Sequence, residues 1–136
     1  MRAWLRKLCV KTPAPLEGAP ANRREKTYSA RSGYVYAYRY EGSRQAARGS
    51  EQAAEYVFQV SADRKTYQRV SVFLAPSATA AWEDERHTLN ANERYAIAKM
   101  ALFQAFDERE DPRQMRQAVI IRRTDAESIL EILGID

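Results

Sequence analysis

The stretch Gly33-Tyr34-Val35-Tyr36-Ala37-Tyr38-Arg39-Tyr40-Glu41 is rich in aromatic and β-branched residues and is bounded by Gly33 and Gly42. That pattern predicts a β-strand. Side chains alternate across a strand, so Tyr34, Tyr36, Tyr38 and Tyr40 share one face, and Val35, Ala37, Arg39 and Glu41 share the other. Two readings follow. If the tyrosines pack inward, they are partly buried rings with wet or bonded hydroxyls, which is the commoner state of Tyr. If Val35 and Ala37 pack inward, the tyrosines form a platform on which unpaired bases or a partner's side chains can stack.

Working outward, residues 55–61 and 66–74 read as two further strands. The short polar connector Ala62-Asp63-Arg64-Lys65 makes them an antiparallel hairpin. Tyr56, Phe58 and Val60 fall on one face, as do Val70, Val72 and Leu74, opposite a polar face with Gln59 and Arg69. Residues 42–52, polar and punctuated by Gly42 and Gly49, predict a solvated loop. Residues 79–87 predict a short helix with Trp82 turned inward. The main helix runs over residues 91–106, with Asn90 and Glu93 at capping-box spacing. A fourth strand over residues 117–123 and a last helix ending at Gly134 complete the chain. The fold class is therefore α+β, an antiparallel three-stranded meander followed by helix-strand-helix (βββαβα).

The 136 residues fit one domain, and the net charge of +4 is unevenly spread. Residues 1–32 hold eight basic side chains against two acidic ones, whereas residues 33–136 hold 14 basic and 16 acidic. With Pro13, Pro15, Gly18 and Pro20, residues 1–32 read as a basic flexible arm preceding a single domain over residues 33–136. Within the arm, residues 3–10 can form a short helix with Trp4, Leu5, Leu8 and Cys9 along one face. A domain so near neutrality is poorly suited to a broad nucleic-acid footprint. A single cysteine, and no apolar run of signal-peptide or membrane-spanning length, predict a cytoplasmic protein.

Catalytic signatures are missing. The chain has no Gly-rich phosphate loop, no Cys/His pair at metal spacing and no nucleophile elbow. His87 stands alone among histidines. No catalytic residue, metal or cofactor is assigned on these grounds. The element order over residues 33–134 is similar to that of the ribonuclease H-like fold, which also begins with a three-strand meander. Active members of that family hold divalent metal with carboxylates on the first strand, the first helix and the end of the fourth strand. In this sequence Glu41, Glu93 and Asp125 stand nearest to those places, without the central first-strand Asp. The resemblance thus implies an inactive version used for binding.

Two binding readings remain. In the first, the main helix is apolar around much of its circumference. Its stripe of Ala91, Tyr95, Ala98, Leu102, Ala105 and Phe106 covers the sheet, leaving Ile97, Met100 and Phe103 as an interface for a second copy or a protein partner. In the second, the chain is a weak nucleic-acid-binding module. Tyr36, Tyr38 and Arg69 would stack on or pair with a strand while Arg23, Arg24 and Lys26 contact phosphates. The first reading leads, with a metal-dependent hydrolase built on Glu41, Glu93 and Asp125 last.

Overall fold

The computed structural model describes residues 13–20 and 24–135. Arg23 and the apolar-faced stretch over residues 3–10 lie outside the described residues. Five strands form one sheet in chain order: β1 (Lys26–Ser29), β2 (Val35–Arg48), β3 (Glu51–Ser61), β4 (Gln68–Leu74) and β5 (Val119–Ile121). The first four pair antiparallel, and β5 joins β4 in parallel. A parallel neighbour requires a crossover. Here α1 (Pro76–Glu85), α2 (Ala91–Glu108) and a 3-10 turn (Pro112–Arg116) supply it, and α3 (Arg123–Leu133) follows β5.

The mixed α+β class is as the sequence predicts, and the element order is fuller. A four-residue strand, β1, precedes the meander inside the segment whose composition predicts an arm. The loop predicted over residues 42–52 is instead a long hairpin. Arg48 pairs with Glu51 across Gly49 and Ser50, and Arg44 pairs with Glu55. Its polar sequence hides the strand, and two glycines permit it. Gly49 turns the chain at φ +60°, and Gly42 sits at φ +125° where the register shifts past Tyr40. Neither the exact βββαβα order nor a ribonuclease H-like fold is confirmed, since β1 to β5 form one sheet in chain order. The last strand lies beside β4, with β3 and β4 between it and β2.

The face of β2 is settled by what covers it. Tyr36 and Tyr38 lie beneath α2, at 0% and 5% exposure. The Tyr36 ring stacks on Phe106 with centroids 4.2 Å apart. Val60, Phe58, Val70 and Val72 continue this core along the sheet. Helix α2 starts at the predicted capping box: Asn90 accepts a hydrogen bond from the Glu93 amide at 2.8 Å, and Glu93 accepts one from the Asn90 amide at 3.0 Å. Such a cap is worth about 1 kcal/mol. Trp82 on α1 is buried, as predicted. Among the described residues no helix is long and apolar enough to cross a membrane.

The arm is partly held. The Glu17 amide donates to the Ser43 carbonyl and the Ser43 amide to the Glu17 carbonyl, both at 2.8 Å. This extends the edge of β2 beyond the end of β1. Gly42 permits the approach, because a Cβ there would lie 2.8 Å from the Glu17 carbonyl oxygen.

Candidate functional site

Among the described residues, two covers of the β2 edge leave a gap between them, and a cleft opens there. Strand β1 pairs with Val35–Tyr38, and the arm touches β2 again at Ser43. Between them lies a concavity of about 650 Å³, in the size range of small-molecule sites. Its wall on the arm side is Gly18, Pro20 and Arg24, and its opposite wall is the start of α2 at Ala91, Asn92 and Tyr95. Tyr38, Tyr40 and Tyr56 come from the sheet.

The aromatic lining follows from two periodicities meeting. Tyr38 and Tyr40 lie two apart on β2, and Tyr56 comes from the facing strand, so all three project toward α2. Tyr95, in the second turn of α2, comes down onto them. Its ring centroid lies 4.7 Å from that of Tyr40 and 6.4 Å from that of Tyr56. Tyr38 and Tyr56 are buried, whereas Tyr40 and Tyr95 are half-buried. The latter two are the rings a ligand can reach. Burial raises the pKa of all four phenols, that of Tyr95 to about 12. At neutral pH these four phenols are therefore uncharged, and their hydroxyls can donate hydrogen bonds.

Among the described residues, the charged groups that line it are all of one sign. Arg24 and Lys26 line the cleft, with Arg39 at the β2 edge but its side chain on the opposite face of the sheet, and no carboxylate lines it among the described residues. The Arg39 guanidinium also stacks on Tyr67, 5.1 Å from the ring centre. Ala91 and Asn92 present the positive end of the α2 dipole.

Of the predicted nucleic-acid residues, Tyr38, Arg24 and Lys26 meet in this cleft. Tyr36 does not, because it is fully buried in the core. Arg69 pairs with Gln59, which pairs with Arg39, on the sheet face away from the helices. Tyr40 belongs to the tyrosine platform that the sequence suggests, whereas nothing in the sequence marks Ser43, Tyr56 and Tyr95 as site residues. The sequence shows Tyr95 only as part of the stripe covering the sheet, and no local pattern links it to Tyr40, 55 residues away.

The predicted interface does not form one exposed patch. Ile97 is fully buried. Phe103 lies against Tyr28 of β1, stacked at 4.3 Å, and Tyr38 meets its edge at 5.5 Å. Met100 is half-buried against the same core. The second cover that this helix face requires is thus supplied within the chain, by β1 as well as by α3.

The three carboxylates of the hydrolase reading are apart in role and place. Glu93 caps α2. Asp125 accepts a hydrogen bond from the Arg122 amide at 3.0 Å at the start of α3. Glu41 lies on β2. Among the described residues no group of three His, Cys, Asp or Glu side chains is placed to hold a metal ion. Compared with known protein families, curated proteins and solved structures, the chain matches none.

Proposed function

We propose that the chain is a non-catalytic binding module that takes a flat aromatic group carrying negative charge into the tyrosine cleft. One observation carries this reading: a concavity lined by four tyrosines has cations at its rim and no carboxylate among its described lining residues. Stacking a base-sized ring on such side chains is worth about 1–3 kcal/mol. Cations at the rim add attraction for an attached anion and repel none of its charge. An unpaired nucleotide belongs to this ligand class, so the reading keeps the nucleic-acid alternative but confines it to a single unit.

Saturation-transfer NMR with adenosine 5′-monophosphate and indole-3-carboxylate as aromatic anions, and ribose 5-phosphate as a ringless control, tests it. The two aromatic compounds should bind and the control should bind more weakly. Tyr95→Ala should weaken the aromatic ligands by about tenfold, the loss of one stacking partner. Absence of binding by both aromatic compounds, or indifference to Tyr95→Ala in a folded variant, would overturn the reading.

Self-association retains a separate support. Strand β5 is a sheet edge, and its Ile120 is 45% exposed. An edge with an apolar outward residue can accept a strand from a second copy. Sedimentation of the wild type against Ile120→Lys tests this, and a wild type monomeric at all concentrations would exclude it.

A further inference from the structure

Beside the cleft, Lys26, one of its lining residues, and Lys99 both flank Tyr38, although 73 positions separate them in the chain. Lys26 pairs directly across from Tyr38 in the β1–β2 register, so both side chains lie on the face toward α2. Lys99 is one turn beyond Tyr95 on the same side of that helix. Its ammonium lies 5.9 Å from the Tyr38 ring centre and 5.8 Å from that of Phe103. Among the described residues neither lysine takes part in an ion pair. Partial burial, and then the charge and contact of Lys26, make Lys99 a weaker base than a free lysine. Two like charges held together without a carboxylate are an unfavourable arrangement in the empty protein, and a bound anion relieves it.

We propose that Lys26 and Lys99, with Arg24 at the rim, clamp the phosphate of a mononucleotide whose base stacks on Tyr40 and Tyr95. The proposal rests on the cleft reading above and narrows its ligand to a phosphate monoester. The charge pattern selects that group. A monoester carries between about −1.5 and −2 charges at neutral pH and presents three acceptor oxygens, enough for two ammonium groups and a guanidinium. A carboxylate has one charge and a planar pair of oxygens, for which a single Arg fork is the better match. An internal phosphodiester also has one charge, so the clamp favours a free mononucleotide, or a terminal phosphate, over the interior of a strand.

Isothermal titration of the full chain with adenosine 5′-monophosphate, adenosine and the dinucleoside monophosphate ApA, which lacks a terminal phosphate, tests it. The monophosphate should bind at least about tenfold more tightly than the other two. Lys99→Met, which keeps the apolar stem, should bring it down to the level of adenosine. Lys26→Gln should lower it in the same direction, and Lys99→Arg should preserve most of the preference. Adenosine itself should be unaffected by any of these changes. If adenosine and its monophosphate bind equally to the wild type, or if both charge-removing variants keep the preference, the clamp is wrong while the cleft stands. If neither compound binds, the cleft reading itself has failed, and the clamp with it.

Discussion

At the scale of single residues, the polar stretch after Gly42 is held by a charge pair that the sequence shows only as isolated letters. Arg44 Nε donates to Glu55 Oε1 at 2.8 Å, and Ser71 Oγ donates to Glu55 Oε2 at 2.6 Å. The two charged side chains keep only 16% and 9% of their exposure. Burial works against the Glu55 carboxylate, but the hydrogen bonds from Arg44 and Ser71 and the Arg44 charge outweigh it, so its pKa lies below the ordinary glutamate value. A carboxyl more acidic in the folded than in the unfolded chain stabilises the fold above the ordinary glutamate range. That contribution is lost as pH falls through the depressed folded value. Chemical denaturation from neutral pH into that acid window should therefore show declining stability, and Glu55→Gln should flatten the decline. Glu55→Ala at neutral pH should cost about 3 kcal/mol, because it strands the Arg44 guanidinium. Gly42 permits a second test. Gly42→Ala places a Cβ against the Glu17 carbonyl at a backbone angle that L residues rarely adopt, and should cost about 1–3 kcal/mol in thermal unfolding. If the arm is a wall of the cleft, the same change should weaken ligand binding as well.

At the scale of elements, the short strand β1 does more than its four residues suggest. Tyr28 stacks on Phe103, and its hydroxyl donates to Asp107 at 2.8 Å, while the Arg31 amide donates to the same carboxylate at 2.8 Å. Strand, turn and the C-terminal end of α2 are thereby tied together. Removing residues 1–30 deletes this strand, uncovering Phe103 and the outer edge of β2. Thermal unfolding should show a clear fall in midpoint, against the composition-based expectation that residues 1–32 are a flexible arm outside the domain. Phe103→Glu puts a charge between the Tyr28 and Tyr38 rings and should cost about 3–5 kcal/mol. Circular dichroism on heating would register that loss. Dissociation of a dimer without loss of stability would instead return Phe103 to an interface.

At the scale of the molecule, the uneven charge sets what kind of binder this is. Residues 33–136 are slightly acidic, and the described cations that converge on the cleft are few. A binder that spreads along a strand neutralises many phosphates and loses affinity steeply with salt, whereas one that holds a single nucleotide neutralises one or two. Fluorescence polarisation of a labelled, 5′-phosphorylated single-stranded oligonucleotide at rising salt should therefore give a log–log slope of about −0.7 to −1.4. A slope several times steeper would place the binding along the strand and not at its end.

The sequence by itself determined only part of the local structure, missing β1 and the hairpin over residues 42–52. Period-two alternation over residues 34–40 implies a strand, Asn90 with Glu93 implies a helix start, and Gly134 implies a helix end, because each depends on neighbours within one or two turns. Strand pattern could place Tyr36, Tyr38 and Tyr40 on one face but not say which face is covered, since alternation reads the same with the two sides exchanged. Only the tertiary structure decided that, by laying α2 over the tyrosines and leaving Arg39 and Arg69 on the other side. It likewise decided that Ile97 is core, that β5 joins β4, and that Glu17 closes on Ser43. The cleft depends on the same long-range choices. Tyr40 with Tyr95, and Tyr38 with Lys99, meet only after the crossover has brought α2 back over the first strands, and no spacing within a single segment encodes that meeting.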